Sequence, residues 1–138
     1  MKKKIIGVVI GRFQTPYLHA GHLYLIGTML QEVDYGYIFL GCQEKKDERN
    51  PYSFSERSDM IEKVFGNIPI KRLNDCETNE EWSFKIDSFF DDLKDNEEVI
   101  LYHSRDSFKD SYTGKFKLKE LPEISGFSAT KIRKNLEG

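Results

Sequence analysis

Arg12, His19 and His22 are the residues of this chain whose types and spacing most readily do chemistry. They share one loop, Gly11 to His22, reading GRFQTPYLHAGH. The loop leaves an apolar run, Ile5-Ile6-Gly7-Val8-Val9-Ile10, and enters a helical pattern near Gly21. A strand, a glycine-bearing loop and a helix start in that order make an anion site, because first-turn N–H groups are unpaired and the helix dipole is positive there. Two imidazoles and a guanidinium at such a place predict a ligand with several phosphates. A second set lies late in the chain. In ISGFSATKIR, Ile124 to Arg133, Ser128 and Thr130 fall in the first turn of a short helix, with Arg133 one turn on. Hydroxyls, backbone N–H groups and a guanidinium converging there predict a second polyphosphate cradle.

Two common phosphate-binding signatures are missing. No G-x-x-x-x-G-K-[ST] is present, and no G-x-G-x-x-G follows the first apolar run, which leads away from P-loop NTPases and glycine-fingerprint dinucleotide sites. The histidine pair could also be a fragment of a zinc site. No third ligand stands at a motif-like position, so no protein-held metal is expected.

The elements that must position these residues follow from periodicity. Ile5 to Ile10 is nearly continuous in apolar character, the pattern of a parallel strand covered on both faces. Leu23, Ile26, Leu30 and Val33 give a first helix. Tyr35 to Cys42 reads as a second strand, and the charged Glu44 to Asn50 as a solvated loop or one that closes over ligand. Ser53-Phe54-Ser55-Glu56 fits a capping box at the start of a second helix, with Met60, Ile61, Val64 and Phe65 as its inner stripe. Ile68 to Leu73 predicts a third strand. Asn79 predicts the cap of a third helix striped by Trp82, Ile86, Phe89, Phe90 and Leu93. Val99 to Tyr102 and Phe116 to Leu121 complete the strands, separated by a polar loop from His103 to Thr113, and Ser128 caps a final short helix. Strands alternating with helices in this way predict a doubly wound α/β domain with a parallel sheet, in which ligands bind beyond the carboxyl ends of the strands.

Composition bounds the rest. A chain of 138 residues with 38% apolar and 32% charged residues is read as one soluble domain over residues 1–138. A formal charge of -2 carries no basic footprint for nucleic acid and no polybasic membrane signal. The lysines at 2 to 4 precede a run too short for a signal peptide or a membrane span, so a cytoplasmic location is expected. Cys42 is expected to be a buried, reduced thiol.

With GRFQ and HAGH, RNPYSFSER (Arg49 to Arg57), the ETNEEW segment ending at Trp82, and SATKIR, the chain resembles the HxGH-motif nucleotidyltransferases. Within them it looks most like the nicotinamide mononucleotide adenylyltransferases of the archaeal type. The resemblance spans nearly the whole chain and implies a Rossmann-like nucleotidyltransferase domain. It implies that His19, His22 and Arg133 are catalytic, the histidines on the ATP phosphates and Arg133 on the β and γ groups with Ser128 and Thr130. Gly11, Arg12, Phe13 and Gln14 of the GRFQ opening would line the ATP site, with Arg12 near the reacting phosphate of both nucleotides. Arg49 would reach the phosphates from its loop, and Ser104 and Arg105 would border the adenine. Trp82 would stack on the nicotinamide ring, a cationic aromatic suited to an indole face. Core packing is the other reading of Trp82, since it shares the helix stripe. The usual short loop, G-R-F-Q-P-x-H-x-G-H, is exceeded here by two residues, because Thr15-Pro16-Tyr17-Leu18 stands between Gln14 and His19. That leaves the place of His19 relative to Arg12 open.

The implied reaction transfers AMP from ATP to nicotinamide mononucleotide (NMN), giving NAD and pyrophosphate by direct displacement, with magnesium carried by ATP. The alternatives are another HxGH enzyme, such as a cytidylyltransferase or a phosphopantetheine adenylyltransferase, and a non-catalytic nucleotide sensor. Assembly state, homo-oligomer included, is left open by the sequence.

Overall fold

Ile5 to Ile10 becomes the middle of the sheet because both of its faces are apolar. The computed structural model describes residues 3–43, 51–104 and 108–122. Among these, the elements in chain order are β1 (Lys4–Gly11), α1 (Ala20–Glu32), β2 (Tyr35–Cys42), α2 (Phe54–Phe65), β3 (Ile70–Asn74), α3 (Asn79–Phe89), β4 (Glu97–His103) and β5 (Lys117–Glu120). A short 3-10 turn, Phe108–Asp110, lies between β4 and β5. The sheet runs β3-β2-β1-β4-β5 with every neighbouring pair parallel. The order reverses between β1 and β4, which is the switch point that the alternating pattern predicts.

Side chains alternate across this sheet. Val9, Ile38 and Leu40 meet Ile26 and Met29 of α1 and Ile61 of α2 on one face. Val8, Ile10, Phe39 and Leu101 meet Ile86 and Phe90 on the other. Each such aliphatic side chain taken fully out of water contributes about 1.5–3 kcal/mol. The layers therefore fix the strand ends against the helices around them. Cys42 is buried and free, as expected. No helix among the described residues is long and apolar enough to cross a membrane.

Several helix faces depart from the sequence pattern. Leu23, expected inside, is 38% exposed, and the inner face of α1 carries Leu25, Ile26 and Met29 instead. His22 shares that face, one helical turn before Ile26, so the inward stripe is the one that contains a histidine. In α2, Val64 is 53% exposed while Arg57 and Ser58 turn inward beside Ile61. Hydrophobic periodicity treats arginine as an outward residue and cannot foresee this. In α3, Phe89 is 43% exposed, and the cap is Thr78 rather than Asn79, its hydroxyl accepting from the Glu81 N–H at 3.1 Å. Strand β3 starts two residues later than expected, because Pro69 has no N–H to give a ladder. Its carbonyl still accepts from Ile38 at 2.9 Å. The predicted C-terminal helix and the Glu44 to Asn50 loop lie outside the described residues.

The capping box at α2 is present in both directions. Glu56 N–H donates to Ser53 Oγ at 3.1 Å, and Ser53 N–H donates to Glu56 Oε1 at 3.1 Å. Ser53→Ala is therefore expected to lower stability by about 1 kcal/mol, read as a shift of the urea midpoint. An unchanged midpoint would show that the cap does not hold this helix.

Candidate active site at the strand ends

The loop after β1 begins with strained backbone. Phe13 has φ of 49°, the left-handed region, and is the one non-glycine residue with positive φ among the described residues. The turn buries the Phe13 ring against the core and sets its edge on the His22 ring, with centroids 4.8 Å apart. Phe13 thus acts through packing at its side chain, where the family resemblance implies a place in the ATP site.

His19 caps α1. Its Nδ1 accepts from the N–H groups of Gly21 at 3.0 Å and His22 at 3.3 Å. The helix start expected to offer open N–H groups to an anion thus has two of them taken by an imidazole. A nitrogen that accepts these bonds carries no proton, so the ring proton of His19 sits on Nε2. The ring folds back closely over the chain: a Cβ at Gly21 would lie 2.9 Å from His19 Cε1, which explains the glycine of H-x-G-H.

His22 stacks on His19, with ring centroids 3.6 Å apart and planes at 23°. Its Nδ1 is buried with no hydrogen-bond partner among the described residues. A buried N–H without an acceptor is rarer than a bare acceptor, which places the proton on Nε2. Burial, and then the charge that His19 would carry, push the His22 imidazole down from 6.5 to about 3. At neutral pH it is an uncharged ring whose available group is one N–H donor.

Arg12 leaves the loop on another course. Its Nη2 pairs with Asp75 Oδ1 at 2.6 Å, both side chains being partly exposed. The stem crosses Gly41, where a Cβ would lie 3.3 Å from Arg12 Cγ. Asp75, just past β3, was not singled out from the sequence. The signal that could have found it is its position at the carboxyl end of a parallel strand, on the same edge as Gly11. Arg12 and Asp75 share a cleft of about 680 Å³ with Trp82, Thr78, Asn79 and Phe108. Trp82 is half-buried, packs on the α3 side of the core, and tilts against Phe108 at 6.1 Å between centroids. Trp82 thus belongs to the core edge and also lines the cleft.

Gln14 is held by its side chain. Its amide brackets Tyr52, Oε1 accepting from the Tyr52 N–H at 2.9 Å and Nε2 donating to the Tyr52 carbonyl at 3.1 Å. The bracket ties the loop to the segment that enters α2. Thr15 to Leu18, the stretch that is two residues longer than usual, forms one wall of a groove of about 610 Å³ shared with Leu23, Met60 and Val64. Ser104 is exposed at the end of β4. Arg49, Arg105, Ser128, Thr130 and Arg133 lie outside the described residues. No group of three or more histidine, cysteine or acidic residues gathers as metal ligands among the described residues. The sequence reading also gave no role to Arg57, whose buried guanidinium touches the loop backbone.

A doubly wound parallel sheet with an H-x-G-H helix start and a polar-aromatic cleft at its carboxyl edge is the frame of a nucleotidyltransferase. The chain belongs to the cytidylyltransferase-like family, whose model matches residues 8–135. It is similar to a bifunctional NMN adenylyltransferase/ADP ribose pyrophosphatase from Francisella tularensis, at 26% identity and TM-score 0.74, over 96% of this chain and 42% of that one. A complex of the bifunctional protein from that organism with AMP and a Mn ion gives 26% and 0.73, over 96% and 41%. A NadR protein in complex with NAD and AMP-PNP shares the fold at 19% identity and TM-score 0.67, over 99% of this chain and 44% of that one. The chain thus spans less than half the length of these proteins. No curated protein sequence matches it.

Because the folded value of His22 lies below the unfolded one, folding favours the neutral ring. That contribution is intact above pH 6.5 and is lost as pH falls toward about 3. Urea unfolding at about pH 7 and pH 5 should show a larger loss in the wild type than in His22→Asn. Equal losses in the two proteins would mean that His22 is not held neutral by the fold.

Proposed function

We propose that the chain is a nicotinamide-nucleotide adenylyltransferase, moving AMP from ATP to NMN with release of NAD and pyrophosphate. One observation carries the reading: Arg12 and Trp82, a cation for phosphate and an aromatic face for a cationic ring, line the same cleft. The family membership and the printed activity of the Francisella relative support it. NMN with its ring on Trp82 and its phosphate on Arg12 presents that phosphate to the loop carrying His19 and His22. ATP then lies along Gly11 to Gln14 and the helix start. Arg49, Ser128, Thr130 and Arg133 grip its β and γ phosphates, and Ser104 and Arg105 border the adenine.

The chemistry asks little covalent work of the protein. An oxygen of the NMN phosphate attacks the α-phosphorus, a P–O bond forms, and the bond to the β-phosphate oxygen breaks. The nucleophile is already an anion, so no base is required. A His22 ring with depressed proton affinity is a poor base and a suitable neutral donor. Holding two anions in line supplies about 7–11 kcal/mol of the barrier reduction. A single preorganised donor aimed at developing charge supplies about 3–4 kcal/mol. Magnesium, held by ATP oxygens and water, offsets charge on the pyrophosphate when bound.

Pure protein given ATP, magnesium and NMN is expected to form NAD. Faster pyrophosphate release with CTP, or with another phosphate acceptor, would assign it to a sister activity. ATP binding without turnover on any acceptor would make it a sensor. His22→Ala should lower turnover about a hundredfold or more, measured at saturating substrates, and near-normal turnover would remove His22 from the mechanism. Trp82→Ala should weaken NMN with ATP affinity little changed. Equal loss of both affinities, or of folding, would leave Trp82 as core alone.

A further inference from the structure

We infer that Arg57 is a positioning residue for the acceptor phosphate, acting through Arg12. The inference rests on the nucleotide reading above and adds to it the group that aims Arg12. Arg57 sits on the inner face of α2 and is 3% exposed. The β1–β2 ladder ends at Gly11 opposite Leu40. The next two carbonyls, of Arg12 and Gly41, both accept from Arg57 Nη1, at 2.8 and 2.7 Å. Nε donates to the Ser53 carbonyl at 3.1 Å, and Nη2 donates to Cys42 Sγ at 3.2 Å.

One planar fork therefore joins the first residue past β1, the end of β2 and the cap of α2. The consequence falls on Arg12. Its backbone is pinned by Arg57, its stem rests on Gly41, also pinned by Arg57, and its tip pairs with Asp75. Asp75 is itself tied to this strand end, its N–H donating to the Cys42 carbonyl at 2.9 Å. These supports of the Arg12 side chain lead back to residues that Arg57 touches or to a group bonded to one of them. A guanidinium taken out of water is costly unless its N–H groups are met, and here four bonds meet them. Lysine cannot replace it, because three donors on one nitrogen do not span acceptors spread over three segments.

Trp82 is the only tryptophan and lines the same cleft as Arg12, so its fluorescence reports NMN directly. Arg57→Lys should bind NMN about tenfold more weakly or worse, with a clearly smaller loss of ATP affinity. In an Arg12→Ala background the same substitution should change NMN affinity no further. Wild-type NMN affinity in Arg57→Lys, equal losses for NMN and ATP, or an undiminished effect without Arg12 would each overturn the assignment. Should Arg57→Lys not fold, the wild type decides. With arginine-selective ¹⁵N labelling, the Arg57 Nε–H resonance should move both on NMN saturation and in Arg12→Ala, and a resonance unmoved by either overturns it. A wild type whose Trp82 does not respond to NMN overturns the functional reading together with this one. A responding wild type matched by an equally responsive Arg57→Lys overturns only the role of Arg57.

Discussion

The imidazole of His19, closed over the first turn of α1, is the contact on which the arrangement of the site depends. By accepting from two successive N–H groups it sets where the helix begins. A helix begun at Ala20 turns His22 inward, onto the His19 ring and against Phe13. His22 cannot then be charged cheaply, because its ring is partly dry and lies against His19. The result is a stacked pair in which His22, held neutral, keeps Nε2–H as a donor. Such donors suit a polyphosphate, because they contribute hydrogen bonds without becoming proton acceptors for the reacting anions.

The parallel sheet supplies the second constraint. All strands point the same way, so the loops after β1, β2 and β3 emerge on one edge. The loop after β1 is drawn in two directions there. Gln14 fastens it to Tyr52 at the entry to α2, while Arg12 reaches across Gly41 to Asp75 beyond β3. The histidines thereby stay at the start of α1 while the arginine reaches toward the end of β3. The longer stretch before His19 forms a wall of the groove beside α2, with Leu18 packed into the core, and leaves the His19 cap intact.

Much of this was legible in the residues. Unbroken apolar runs placed β1, β2 and β4, the S-x-x-E pattern placed the α2 cap, and alternation gave the parallel architecture. H-x-G-H marked the helix start, and the stripe of α3 marked Trp82 as a residue that packs on the core. What stayed hidden are interactions that periodicity does not encode. Nothing in a one-dimensional pattern tells that His22 rather than Leu23 faces inward, since both stripes satisfy helical spacing. Nor does it tell that Arg57 is buried, because its acceptors are backbone carbonyls from distant strands. Asp75 looks like one more acidic residue until the strand ends are aligned. The expectation of free N–H groups at α1 failed because a neighbouring side chain reached them first.

The central claim, a neutral His22 that offers Nε2–H to phosphate, is tested most directly by ¹⁵N NMR of its ring nitrogens. At about pH 6 the His22 ring should show an unprotonated Nδ1 and a protonated Nε2, and addition of ATP should move the Nε2–H signal while Nδ1 stays near its place. A His22 ring that is charged at that pH, protonated on Nδ1, or indifferent to ATP would contradict the account.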